Sequence, residues 1–112
     1  MAGITTHVLD TARGKPAEGM PVRLERQDAG GSFSLVGEGA TDADGRLRTL
    51  TQGAVEAGIY RITFDTGAYF AAQKTSGFYP SVSVLFEVRD GAEHFHVPLL
   101  ISPWGYSTYR GS

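Results

Sequence analysis

No cysteine occurs anywhere in the 112 residues. That excludes a disulfide scaffold, a thiolate nucleophile and a thiolate metal site, and it fits a reducing compartment. Long apolar runs are missing too: none approaches the roughly 20 residues that cross a bilayer as a helix. The start, Met1-Ala2-Gly3-Ile4-Thr5-Thr6-His7, has no basic segment followed by an apolar one, so no export signal is expected. Surplus charge of either sign is absent, the formal net charge being -2; there is no basic field for nucleic acid and no acidic tail. The closing Arg110-Gly111-Ser112 is not a receptor-read address. A Gly-x-Ser-x-Gly nucleophile elbow is lacking as well, because Gly105-Tyr106-Ser107-Thr108-Tyr109 carries Tyr at its second glycine position. These absences lead to the expectation of a soluble cytoplasmic protein with one domain over residues 1–112 and one modest core, binding neither nucleic acid nor membrane.

Glycine, by contrast, is plentiful, with 15 copies, and β-branched and aromatic residues fall in short runs between Gly, Asp and Pro. That pattern predicts an all-β sandwich or barrel of about seven or eight strands. Ile4, Thr6 and Val8 alternate with Thr5, His7 and Leu9. Met20, Val22 and Leu24 alternate with Pro21, Arg23 and Glu25. Phe33 to Val36 opens a return strand, Leu47 to Leu50 suits a short one, and Tyr60, Ile62 and Phe64 form the apolar side of another. Val82, Val84, Phe86 and Val88 make the clearest inward face. The only helix expected lies within Gly67–Gly77, where Ala, Gln and Lys sit between glycines. In the final stretch Phe95, Val97, Leu99 and Ile101 form a core face, so His94 and His96 share the opposite one.

Three chemistries deserve weighing. Thr41-Asp42-Ala43-Asp44-Gly45-Arg46 resembles part of a calcium loop but lacks the other ligands and the closing bidentate Glu; its Asp-Gly is a turn signal. A His-x-His pair on a strand could donate nitrogens to zinc, or stand solvated on a half-buried strand. Imidazoles can also take and return a proton at neutral pH, and a nearby guanidinium can hold a developing anion. His7, His94 or His96, and Arg46 supply those types, but spacing alone does not bring them together.

The ending Tyr106-Ser107-Thr108-Tyr109-Arg110-Gly111-Ser112 resembles the C-terminal signature of the 5-hydroxyisourate hydrolases, transthyretin-like enzymes of purine catabolism. Thr6-His7-Val8-Leu9-Asp10, Thr41-Asp42-x-Asp44-Gly45-Arg46 and His94-Phe95-His96-Val97-Pro98-Leu99-Leu100 resemble three further motifs, in order along the chain. The resemblance implies a two-sheet transthyretin-like sandwich of about eight strands with one short helix. One sheet would run in the order fourth, first, seventh, eighth strand. It implies hydrolysis of 5-hydroxyisourate at a cyclic amide, giving 2-oxo-4-hydroxy-4-carboxy-5-ureidoimidazoline. His7, Arg46, His96 and Ser112 would be catalytic, with His7, Arg46 and Tyr109 contacting substrate. It implies a small purine-derived substrate, no cofactor, no resident metal, and a homotetramer whose facing sheets enclose a channel. A carrier of hydrophobic hormones and a plain interaction module are the competing readings.

Overall fold

The computed structural model describes residues 3–111. Nine strands and one helix follow the chain: β1 (Gly3–Asp10), β2 (Lys15–Pro16), β3 (Pro21–Gln27), β4 (Phe33–Ala40), β5 (Arg46–Leu47), β6 (Gly58–Phe64), α1 (Thr66–Ala72), β7 (Val82–Val88), β8 (His94–Ser102) and β9 (Gly105–Thr108). They form two sheets. In one, the order is β2-β1-β8-β9, with β5 pairing β1 along the same edge as β2. In the other it is β4-β3-β6-β7. With β5 as the fourth long-range segment, the expected neighbour order of the first sheet is the observed one.

The alternation seen in the sequence sets which side each residue takes. Ile4, Thr6 and Val8 of β1 and Phe95, Val97, Leu99 and Ile101 of β8 are buried, as are Val22, Leu24, Tyr60, Ile62 and Phe64 from the other sheet. Val82 and Val88 are buried, and Val84 and Phe86 are partly buried against the same core. Thr6 is the polar exception on the inner face of β1. Its hydroxyl donates to the Val97 carbonyl at 2.6 Å, so no polar group is left unpaired there.

β1 and β8 run parallel over eight residue pairs, Gly3↔His94 through Asp10↔Ile101. A parallel pair needs a long crossover, and here the whole second sheet supplies it. The helix begins where the Asp65 side chain accepts the Ala68 N–H at 3.0 Å. It is shorter than the glycine-bounded stretch suggested, ending at Ala72 because Lys74 adopts a positive φ of 56°. Tyr69 ties it to β1, its hydroxyl donating to Asp10 Oδ2 at 2.8 Å.

Two elements differ from expectation. Lys15–Pro16, where the alternation marks no strand, is a two-residue strand on the far end of β1. The Leu47–Leu50 strand is instead Arg46–Leu47. After Leu47 the chain leaves β1, and the Leu50 carbonyl lies against Gly37 of β4, where a Cβ would overlap it.

The turn before β5 delivers Arg46 to the sheet. Asp42 Oδ1 accepts the N–H groups of Asp44 and Arg46, both at 2.9 Å, so the Asp-x-Asp-Gly sequence builds a turn from its own backbone. Those two N–H groups, that of Arg46 foremost, and the Arg48 and Arg46 charges lower the Asp42 carboxyl below its ordinary range, against a smaller opposing effect of burial. Gly45 has φ 76°, and a Cβ on it would overlap the Val8 carbonyl oxygen, while the Gly45 carbonyl accepts the Val8 N–H at 2.7 Å. Gly45→Ala should therefore destabilise the protein by roughly 1–3 kcal/mol, measured by chemical denaturation; unchanged stability would show that this turn does not constrain the fold.

Candidate active site

Pairing partners directly opposite one another share a face of the sheet. His7 pairs with Arg46, and Thr5 pairs with His96. His7, Thr5, Arg46, His94 and His96 therefore all stand on the side of the first sheet away from the core. The His7 and His96 ring centroids are 6.5 Å apart, and those of His94 and His96 are also 6.5 Å apart with the planes nearly parallel at 14°.

A cleft of about 480 Å³ opens on this face, lined by Thr5, Arg46, Arg48, Thr51, His94 and His96 together with Gly3, Ile4, Thr6 and Gly53. Two guanidiniums and two imidazoles border it, and among the described residues no carboxylate does. Such a lining favours an anion, or a carbonyl oxygen gaining negative charge. Thr51 closes one wall, its hydroxyl accepting the Ile4 N–H at 3.0 Å. His7 flanks the cleft beside His96.

Hydrogen bonds hold the rings. His7 Nε2 lies 2.9 Å from the Asp44 carbonyl; a carbonyl only accepts, so this nitrogen carries the hydrogen. His96 Nδ1 and His94 Nε2 both contact the Thr5 hydroxyl, at 2.8 and 3.2 Å. His94 Nδ1 is buried with no partner among the described residues. Burial lowers the pKa of His96 below its ordinary value, and positive charge on His7, Arg46, His94 and Arg48 lowers it further. These effects favour the neutral ring, a state in which imidazole can accept or hand on a proton.

Three of the residues singled out from the sequence, His7, Arg46 and His96, meet on this face. Tyr109 lies one residue beyond β9. The register that pairs Leu99 with Thr108 resumes as a bridge between His96 and Gly111, which puts Tyr109 opposite Pro98, and Tyr109 borders a separate cleft with Val84, Phe86, Phe95 and Val97. Its side chain is 59% exposed and is not hydrogen-bonded to His7, Arg46 or His96 within this chain. Ser112 lies outside the described residues.

Thr5, Arg48, Thr51 and Gly111 were missed. Arg48 was detectable, since Arg46-x-Arg48 puts both guanidiniums on one side of an extended segment. Gly111 packs against His96, where a Cβ would stand 2.6 Å from His96 Cδ2, and its N–H donates to the His96 carbonyl at 2.8 Å. Nothing local in the sequence marked that contact. Among the described residues no group of three or more His, Asp or Glu side chains is arranged to hold a metal ion.

Comparison with known proteins places the whole chain. The model of the HIUase/Transthyretin family matches residues 4–111. The chain is 46% identical to a 5-hydroxyisourate hydrolase of Caulobacter vibrioides over 116 residues, covering 100% of both proteins. It superposes on the structure of Klebsiella pneumoniae 5-hydroxyisourate hydrolase with a TM-score of 0.89 at 38% identity, covering 100% of both chains. Sea bream transthyretin, solved in complex with thyroxine, gives a TM-score of 0.91 at 31% identity, covering 96% of this chain and 93% of that one. Matched by the family model over residues 4–111 and 46% identical to a relative along its whole length, this chain belongs to the HIUase/Transthyretin family.

Proposed function

We propose that this protein hydrolyses 5-hydroxyisourate in urate degradation, opening the six-membered ring at a lactam C–N bond to give 2-oxo-4-hydroxy-4-carboxy-5-ureidoimidazoline. The observation that carries this reading is the meeting of His7, His96 and Arg46 on one face of the sheet. The relatives named as hydrolases of this substrate support it.

Amide hydrolysis needs a base for water, a donor for the oxyanion and a means of holding the ring. His7 and His96 orient the attacking water, and one of them takes its proton. Arg46 binds the carbonyl oxygen as charge develops on it. Tyr109 contacts the substrate ring, and Ser112 is given a catalytic part on the family resemblance. The reaction asks nothing of a cofactor. A carrier of an apolar hormone would want apolar and small hydroxyl walls, and the cleft here offers Arg46, Arg48, His94 and His96.

The site of a single chain is open to water. Burying it between facing sheets of a homotetramer would strengthen each electrostatic contact. We therefore place the protein as a one-domain chain in a cytoplasmic homotetramer acting on a small purine-derived substrate.

Freshly generated 5-hydroxyisourate should lose its near-ultraviolet absorbance faster when the purified protein is added; no acceleration would refute the assignment. His96→Asn should keep the far-ultraviolet circular dichroism of the fold and lower turnover by about 10²–10⁴, and a folded variant with full turnover would remove His96 from the mechanism. A base that must be unprotonated makes kcat/KM rise with pH through about 6–7; a flat profile from pH 5 to 8 would contradict a histidine base. Positive charge on Arg46 is one cause of the depressed His96 pKa, so Arg46→Gln should move the His96 titration, followed by proton NMR, to higher pH, and a midpoint that stayed put or fell would show that Arg46 does not act on this ring.

A further inference from the structure

The two histidines nearest Arg46 do not hold their hydrogens alike. His7 carries its hydrogen on Nε2, because that nitrogen donates to the Asp44 carbonyl. When His7 is neutral, its bare nitrogen is Nδ1. For His96 the matter turns on Thr5, whose hydroxyl has one hydrogen and stands between His96 Nδ1 and His94 Nε2. Two circuits are open. In one, His94 Nε2–H donates to Thr5 and Thr5 donates to His96 Nδ1. In the other, His96 Nδ1–H donates to Thr5 and Thr5 donates to His94 Nε2.

Two independent observations select the first circuit. Hydroxyl donors make shorter hydrogen bonds than N–H donors. The short contact, 2.8 Å, is the one to His96 and the long one, 3.2 Å, is the one to His94. The second observation is the orphan: His94 Nδ1 is buried without a partner among the described residues. The second circuit would put a hydrogen on that nitrogen and bury a donor with no acceptor, which is rarer and costlier than an under-used acceptor. The first leaves a lone pair there.

We propose that Thr5 is a positioning residue that holds His96 with its hydrogen on Nε2, so that His96 is the donor and His7 the base of the pair. The inference rests on the hydrolase reading for its chemistry. His7 Nδ1 takes a proton as the water oxygen bonds to the lactam carbon. His96 Nε2–H, with Arg46, donates to the oxyanion. As the C–N bond breaks, its electron pair passes to nitrogen, which receives the proton back from His7. His94 takes no proton in this scheme. It fixes the direction of the Thr5 hydroxyl.

The chain has three histidines, so nitrogen NMR of protein labelled with ¹⁵N-histidine gives three ring systems, assigned by single substitutions. Above its titration midpoint His96 should show Nδ1 as a hydrogen-bonded acceptor nitrogen and Nε2 as the N–H nitrogen. A neutral His96 with its hydrogen on Nδ1 would overturn the proposal. In Thr5→Val the Nδ1 resonance should move toward the value of an unbonded acceptor, and kcat should fall about fivefold to tenfold, the effect of one lost neutral hydrogen bond, with KM little changed. Thr5→Ser should restore both. Full kcat in Thr5→Val, or a Thr5→Ser protein as slow as Thr5→Val, would equally overturn it. The spectrum needs no substrate, so it stands or fails apart from the hydrolase reading, which fails on absent turnover in the unaltered protein.

Discussion

The parallel ladder between β1 and β8 is the constraint on which the site depends. Its register sets Thr5 against His96 and His7 against Pro98. Adjacent strands lie about 4.8 Å apart, so Thr5 and His96, 91 positions apart in the chain, become neighbours at hydrogen-bonding range. A slip of one residue in β1 would turn His7 into the core and expose Val8, and a slip in β8 would do the same to His96 and Val97. The buried residues on the inner face, Ile4, Val8, Leu99 and Ile101, oppose that slip, because each would lose its burial, worth about 1.5–3 kcal/mol for a side chain of this size. The hydrophobic core thus positions the imidazoles without touching them.

Arg46 is brought in by a different device. β5 contributes only two residues to the sheet, too few to hold register by burial alone. The Asp42 turn and the fit of Gly45 against Val8 hold it instead. Gly111, packed against His96, does the same for the C-terminal segment. Both glycines stand where another residue's backbone or ring occupies the place of a Cβ. They serve the site by being small, and carry no chemistry of their own.

Much of this was legible in the sequence, because period-two alternation reports directly on which face a strand residue takes. The inward sets of β1, β3, β6 and β8, the shared outer face of His94 and His96, and the turn before Arg46 all followed from it. The sheet order and the convergence of His7, His96 and Arg46 came from the family resemblance, since periodicity says nothing about which strand lies beside which. The length of β5 was hidden because Leu50 is buried for another reason: it is packed under β4. Thr5 was passed over because a hydroxyl on a solvent-side strand position is ordinary, and its value comes only from two rings supplied by β8. Arg48 lies beyond the last paired residue of its strand, and the resemblance covered Arg46 alone.

The central claim is that His7 and His96 act as one unit on one transition state. A double-substitution cycle tests it directly. The kcat/KM for 5-hydroxyisourate would be measured for the unaltered protein, His7→Asn, His96→Asn and the combined variant, each verified as folded. Groups that share a transition state are strongly non-additive, so the combined variant should lose little more than the more damaged single variant. Losses that multiply, as independent sites require, would contradict the account.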